Sequence, residues 1–139
     1  MKIVTNEENK KEVIIEATLN TAYSRKSDDG SQIKNTVNFS TDDKDFWKAA
    51  EENYEGVKPK WIPTWFKEQN YVKLSSNYNI PVRLDTEKEH LVDFGDFVAR
   101  GMIKGAKIKI KLVFVNNAIY PSSFVVEEDG EVYDAFDGF

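Results

Sequence analysis

Three lysines at alternate positions, Lys107, Lys109 and Lys111, are the most regular group of like charges in the chain. Successive side chains of a β-strand point to opposite faces, so this spacing predicts a row of cations on the solvent face. The row alternates with apolar residues that would enter the core: Ile108, Ile110 and Leu112. Arg100 and Lys104 precede it, and no carboxylate occurs from residue 97 to residue 126. An unbalanced row of this kind predicts a polyanion site, although lysines that protect an edge strand are the alternative.

A second group consists of aromatic residues interleaved with lysines. Its members are Trp61, Trp65, Phe66, Tyr71 and Tyr78. Single-stranded nucleic acids are bound by cationic grooves whose aromatic rings stack on the bases, and stacking requires no particular base. We therefore expect Trp61 and Trp65, helped by Tyr71 or Tyr78, to stack bases, while core packing takes the remaining rings.

The last thirteen residues, EEDGEVYDAFDGF, contain six acidic residues and no basic one. Residues 1–126 are nearly neutral by comparison and are predicted to fold as one domain. Residues 127–139 are predicted to form a disordered acidic tail. A tethered anion competes for a basic groove at high effective concentration, so we expect the tail to compete with DNA. Its end would then bind a partner protein through Asp134, Phe136, Asp137 and Phe139, with a role in solubility as the alternative.

Most of the elements that must position these groups are strands. Residues 12–23 and 33–39 predict two strands joined by a turn at Asp29-Gly30. Residues 105–115 and 118–126 predict a second hairpin, joined at Asn116-Asn117. Residues 71–84 predict two short extended pieces, and residues 91–98 an extended segment with a bend at Gly95.

One segment has helical periodicity. Residues 40–55 place Phe46, Trp47, Ala50 and Tyr54 on one face, with Ser40 or Thr41 as the cap. Pro63 could begin a short second helix, or that segment could be an aromatic loop. The pattern as a whole predicts a mainly β fold, a small antiparallel barrel or sandwich with one inserted helix.

The segment GAKIKIKLVFVNNAIYPSSFVVEEDG, followed by YDAFDGF, resembles phage-encoded single-stranded DNA-binding proteins. The resemblance covers mainly residues 98–139. It implies an OB fold that coats displaced DNA strands during replication and recombination. It also implies an acidic tip that docks replication and recombination proteins, and a location in the host cytoplasm.

Groups that could catalyse a reaction are few. Asp93-Phe94-Gly95-Asp96 resembles the metal-binding motif of kinases, but the glycine-rich and catalytic loops are missing. Asp42, Asp43 and Asp45 could indicate a metal-dependent nuclease, although acidic residues at a helix start are explained by the helix dipole. His90 has no second histidine to share a metal, and there is no cysteine. We predict a protein that is not an enzyme and that uses no cofactor or metal.

Length and composition set the remaining expectations. The 139 residues suit one domain, and no apolar segment is long enough for a signal peptide or a membrane span. The protein is therefore expected to be cytoplasmic. An acidic interaction module, such as a DNA mimic, is the alternative to single-stranded DNA binding, but it predicts acid spread over the whole body. An exposed edge strand could also build a homodimer.

Overall fold

The computed structural model describes residues 1–133, which form ten strands and three short α-helices. The strands are β1 (Lys2–Glu7), β2 (Lys10–Lys26), β3 (Ile33–Ser40), β4 (Val72–Ser76), β5 (Val82–Leu84), β6 (His90–Val92), β7 (Met102–Lys104), β8 (Ala106–Val115), β9 (Ala118–Glu128) and β10 (Glu131–Tyr133). The helices are α1 (Lys44–Asn53), α2 (Thr64–Glu68) and α3 (Phe94–Ala99), and single 3-10 turns lie at Pro59–Trp61 and Asp85–Glu87.

One large sheet organises the chain. Its strand order is β4-β3-β2-β8-β9-β5-β6, with β1 on the free side of the first half of β2. The sheet curls until β4 lies within 8 Å of β9 between Cα atoms, so β2, β3, β4, β8 and β9 surround the core as a barrel. The mainly β, OB-like fold predicted from the sequence is confirmed. Among the described residues, every strand pair is antiparallel except β5 with β9, which is parallel.

The β8–β9 hairpin forms as its alternation predicts. Ile108, Ile110 and Leu112 are buried in the core, and the lysines between them point to the other face. Asn116 and Asn117 form the two-residue turn with φ angles of 49° and 63°. Asparagine tolerates this left-handed conformation better than most residues, which is why the pair ends one strand and starts the next.

Helix α1 and its C-terminal cap Tyr54 add Phe46, Ala50 and Tyr54 to the hydrophobic core, and all three are buried. Its N-terminal cap differs from the prediction, because Asp43 rather than Ser40 or Thr41 accepts a hydrogen bond from the amide of Phe46 (3.0 Å). The hydroxyl of Thr41 donates instead to the carbonyl oxygen of Glu16 (2.8 Å). That bond ties the β3–α1 connection to β2, where β2 has no strand partner on that side.

Two other segments correct the prediction of one inserted helix. Residues 64–68 form α2 after Pro63, which was one of the two alternatives considered. The segment predicted as extended with a bend at Gly95 is wrong over most of its length, because residues 94–99 form α3. The side chain of Asp93 caps this helix by accepting from the amide of Asp96 (2.8 Å). A helix of six residues is too short to establish a helical period in the sequence.

The acidic segment begins inside the folded part of the chain. Glu127 and Glu128 are the last residues of β9, and residues 131–133 form β10 against β7. Between β9 and β10 the chain passes close to the backbone of Lys104 and Ala106. Only glycine fits at position 130, because a Cβ atom there would overlap the carbonyl oxygen of Lys104 and the amide of Ala106. Residues 134–139 lie outside the described residues. The predicted boundary after Val126 would therefore cut through a paired strand.

Candidate nucleic-acid interface

A β-bulge in β2 decides which side chains reach the outer face of the barrel. Pairing with β3 shifts between Leu19 and Thr21, so the inward and outward positions of β2 exchange there. Before the bulge Leu19 is buried in the core, and after it Tyr23 lies on the outside opposite Thr36. Thr36 in turn lies opposite Ser75 of β4. Tyr23 therefore stands at the edge of an outer face made by β2, β3 and β4.

Two cations lie close to the ring of Tyr23. The guanidinium carbon of Arg25 lies 5.1 Å from the ring centre and Nζ of Lys73 lies 5.9 Å from it. Lys34 pairs with Arg25 across the hairpin. Partial burial raises the pKa of the Tyr23 hydroxyl, but the hydrogen bond and charge of Lys73, with Thr36 and Arg25, outweigh it and lower that pKa. We call Tyr23, Arg25, Lys34 and Lys73 the Tyr23 face.

Among the side chains that the structure describes, no residue of the Tyr23 face forms a salt bridge. Three of its members carry positive charge, and their side chains are exposed. Sequence reasoning missed this face. Its signal was the period-two spacing of Tyr23 and Arg25 at the end of a strand, but the bulge at residues 19–21 hides which side they occupy.

Tyr78 stands at one end of the same three strands and is 81% exposed. Asn35, which is buried, holds the loop in place because its amide nitrogen donates to the carbonyl oxygen of Tyr78 (2.9 Å). The hydroxyl of Ser24 fixes that amide by donating to its oxygen (2.6 Å). Asn35 pairs with Ser76, so Tyr78 follows directly beyond the end of β4. An exposed ring on an anchored loop is what a stacking residue requires.

The polar side chains of β2, β3 and β4 bond mainly to one another. The amide of Asn20, at the bulge, donates to the side chains of Asn38 (3.1 Å) and Ser40 (2.9 Å). The hydroxyls of Thr36 and Ser75 lie 2.9 Å apart. Groups engaged in this way are poorly available to read the edges of bases, which leaves the ring and the cations as the free groups.

The lysine row of β8 is not unbalanced, so that part of the prediction is wrong. Nζ of Lys109 lies 3.1 Å from Oε1 of Glu127, and Nζ of Lys107 lies 3.4 Å from Oε2 of Glu128. The hydrogen bond and then the charge of Glu127 raise the pKa of Lys109. Glu16 of β2 also lies opposite Lys109. These carboxylates come from neighbouring strands, which is why a count along residues 97–126 did not find them.

The two other predicted cations lie beyond the row. Arg100 follows α3 and its Nη1 lies 2.7 Å from Oε1 of Glu87. Lys104 is exposed and lies opposite Glu131 in the β7–β10 pair. Of these two cations, Arg100 is therefore neutralised by a carboxylate.

The prediction that Trp65 stacks bases is wrong, because Trp65 is buried. Its ring is 6% exposed and packs against Tyr54 and Phe66, each with 6.1 Å between ring centres, and against Trp47 at 6.3 Å. A ring enclosed in this way offers no face to a base. Tyr71 is half-buried against the same core. Trp61, in contrast, is 67% exposed, with Nζ of Lys60 5.2 Å from the ring centre.

The residues predicted to bind a partner protein, Asp134, Phe136, Asp137 and Phe139, lie outside the described residues. Strand β10, which precedes them, pairs with β7 in an antiparallel direction. Glu131 lies opposite Lys104 and Tyr133 opposite Met102, so β10 runs away from β8 and its lysine row.

Two other features bear on function. Within residues 1–133 there is no cluster of three or more histidine, cysteine or acidic side chains that could hold a metal ion. No described helix is both long and apolar enough to cross a membrane. The absence of catalytic activity and of a cofactor stays a prediction.

No protein-family model and no curated protein matches the chain. Solved structures do match. The chain has the fold of a phage single-stranded DNA-binding protein. The protein of bacteriophage Enc34, solved in complex with single-stranded DNA, matches with a TM-score of 0.54 and 9% identity, over 96% of this chain and 98% of that chain.

Two further structures of the Enc34 protein agree. One has a TM-score of 0.53 and 11% identity, over 99% of this chain and 96% of that chain. A C-terminal truncation has a TM-score of 0.55 and 9% identity, over 96% and 97%. At this identity the likeness is one of fold, and it extends over nearly the whole length of both chains.

Proposed function

We propose that this protein binds single-stranded DNA without regard to sequence, and that the Tyr23 face is its principal contact surface. The observation that carries the proposal is an aromatic ring with two cations near its centre, Arg25 at 5.1 Å and Lys73 at 5.9 Å, on an outer face with no salt bridge among the described side chains. OB folds bind oligonucleotides on their second and third strands and on two loops, of which one joins the first two strands and the other joins the last two. Along this barrel those elements are β3 and β4, the β2–β3 loop and the β8–β9 turn, and the Tyr23 face lies on β3, β4 and the part of β2 next to the β2–β3 loop.

The chemistry of the Tyr23 face suits a flexible single strand. Arg25, Lys34 and Lys73 neutralise phosphates, and Tyr23 and Tyr78 each offer a ring to a base. Phosphate contacts and stacking carry little sequence information, and the polar side chains nearby are already bonded to one another. The Enc34 protein, which has this fold, was solved with single-stranded DNA, and that supports the same ligand here.

The lysine row has a smaller part in this proposal. Lys107 and Lys109 are paired with Glu128 and Glu127, so a phosphate must displace a carboxylate to reach them. Lys111 and Lys104 still attract the strand at long range, whereas Arg100 is paired with Glu87 in the same way as the first two lysines. We further propose a role without catalysis in DNA replication or recombination, in the cytoplasm of a host cell. The homodimer also stays a prediction, for which β6 offers an edge strand.

A salt-dependent titration tests the function. We expect a labelled oligothymidine and a mixed-sequence oligonucleotide of equal length to bind with affinities within a few-fold of each other. Three phosphate contacts predict a slope of about −2 for the logarithm of affinity against the logarithm of salt concentration, since each contact on a single strand contributes about −0.7. Fluorescence anisotropy measures both quantities. Absence of binding at low salt would refute the function and favour the interaction-module alternative.

We propose in addition that the acidic residues beyond residue 133 compete with DNA for cations that remain unpaired among the described side chains. Glu127 and Glu128 differ from them, because they already pair with two lysines of β8 that lie outside the Tyr23 face. Removal of residues 134–139 is expected to tighten binding by about 2- to 5-fold, because two tethered carboxylates act at millimolar effective concentration. The cut belongs after Tyr133, since one after Val126 would also remove β10 and the end of β9.

The control for this truncation keeps the length of the chain. Asp134→Asn combined with Asp137→Asn should tighten binding to the same extent if charge is the cause. Unchanged affinity in both variants would contradict the competition. Loss of replication or recombination partners from the truncated protein alone would assign Phe136 and Phe139 the recruiting role.

A further inference from the structure

Trp61 is an exposed aromatic residue in a segment that two prolines stiffen. It ends the 3-10 turn that begins at Pro59, and Pro63 follows two residues later. The amide of Trp61 donates to the carbonyl oxygen of Lys58 (2.8 Å). Val57 and Ile62, on either side of the turn, pack against the core. The backbone is therefore anchored on both sides of Trp61, while the residue is 67% exposed.

Lysines flank Trp61 in the chain, although Glu55 and Glu68 are exposed in the same segment. Lys58, Lys60 and Lys67 are exposed, and Nζ of Lys60 lies 5.2 Å from the ring centre. None of these lysines forms a salt bridge with a side chain in the described part of the chain. An exposed ring with unpaired cations is the same combination that the Tyr23 face presents. Stability does not explain it, because a ring this exposed buries little apolar surface.

The fold relates the two surfaces. The insertion that carries Trp61 leaves the barrel after Ser40, the last residue of β3, and returns just before Val72, the first residue of β4. The hydroxyl of Ser40 donates to the carbonyl oxygen of Asn70 (3.4 Å), which brings the two ends of the insertion together. Tyr78 follows the opposite end of β4. The rings of Tyr78 and Trp61 thus belong to segments at opposite ends of the same two strands.

We propose that Trp61, with Lys58 and Lys60, is a second stacking platform that binds the same DNA strand beyond the Tyr23 face. The proposal rests on the function proposed above and extends it, because it assigns a contact to the α1–α2 insertion rather than to the barrel. Strand β3 has eight residues and spans about 26 Å, so only an oligonucleotide longer than the barrel face engages both surfaces. The structure thereby assigns the protein a longer site than the barrel alone provides.

The test compares oligothymidines of about 4 and about 16 nucleotides, the limits of site size for one OB fold. Trp61→Ala is expected to weaken binding of the long oligonucleotide about tenfold and to leave the short one unchanged. Tyr120→Ala is the matched control, since Tyr120 is an exposed ring on β9, and it should change neither affinity. Circular dichroism checks that each variant is folded.

The outcomes separate this inference from the function on which it rests. If the wild-type protein binds neither oligonucleotide, the function fails and the inference fails with it. If both bind and Trp61→Ala changes neither affinity, or both equally, only the inference is overturned. If Trp61→Ala instead abolishes binding of the peptide YDAFDGF and spares DNA, the surface serves an acidic peptide and the DNA platform is overturned.

Discussion

Lys73→Glu is expected to weaken single-stranded DNA binding by about 10- to 100-fold. A hydrogen bond to a charged group contributes about 1.5–3 kcal/mol, and the introduced carboxylate would also repel the phosphate. Lys73 is exposed, and nothing among the described carboxylates lies within salt-bridge distance of it. Its positive charge is therefore free to act on a ligand. The variant should also lower the steepness of the salt dependence by about 0.7, the contribution of one phosphate contact.

Lys109→Glu is the matched control, because it makes the same charge reversal on another exposed strand face. Lys109 is already paired with Glu127 and lies opposite Glu16, so we expect a loss of less than about threefold. Anisotropy titrations of both variants at two salt concentrations provide the comparison. Equal losses would mean that the lysine row belongs to the interface. A loss confined to Lys109→Glu would refute the Tyr23 face and restore the sequence-based prediction.

Trp65→Ala is expected to lower the free energy of unfolding by about 3–5 kcal/mol, the usual cost of truncating a buried tryptophan. The ring of Trp65 contacts Tyr54, Phe66 and Trp47, so its removal leaves a cavity among aromatic groups that cannot collapse to fill it. Urea denaturation followed by circular dichroism measures the change. Circular dichroism is preferred because the substitution itself changes the tryptophan fluorescence, which then comes only from Trp47 and Trp61.

Trp61→Ala provides the comparison, since the same side chain is removed from an exposed position. Its free energy of unfolding should change by less than about 0.5 kcal/mol. A stable Trp65→Ala protein with impaired DNA binding would show that Trp65 stacks bases after all. The pair of variants thus separates core packing from ligand contact for two tryptophans only four residues apart.

Most of the fold could be predicted from patterns of consecutive residues. The alternation from Ala106 to Val115 and the turn at Asn116-Asn117 specified the β8–β9 hairpin, because a strand period and a turn are properties of consecutive residues. The face of α1 followed from helical spacing for the same reason. Helix α3 was not found, because six residues give too little periodicity and the cap at Asp93 was not recognised.

The candidate site could not be predicted in the same way, because charge pairing and burial depend on residues that are distant in the chain. The lysine row looked unbalanced until β9 brought Glu127 and Glu128 beside it and β2 brought Glu16. Trp65 and Trp61 share a polar sequence context, yet only packing against α1 and α2 buries the first and leaves the second exposed.

The sequence by itself determined a mainly β chain, its longest hairpin, its longest helix and a resemblance to single-stranded DNA-binding proteins. Only the tertiary structure decided which face is free to bind. A bulge at residues 19–21 turns Tyr23 and Arg25 outward, and strand pairing brings Lys34 and Lys73 beside them. Charge neutralisation and burial act between residues distant in the chain, so a surface is defined by its neighbours in space and not by its own sequence.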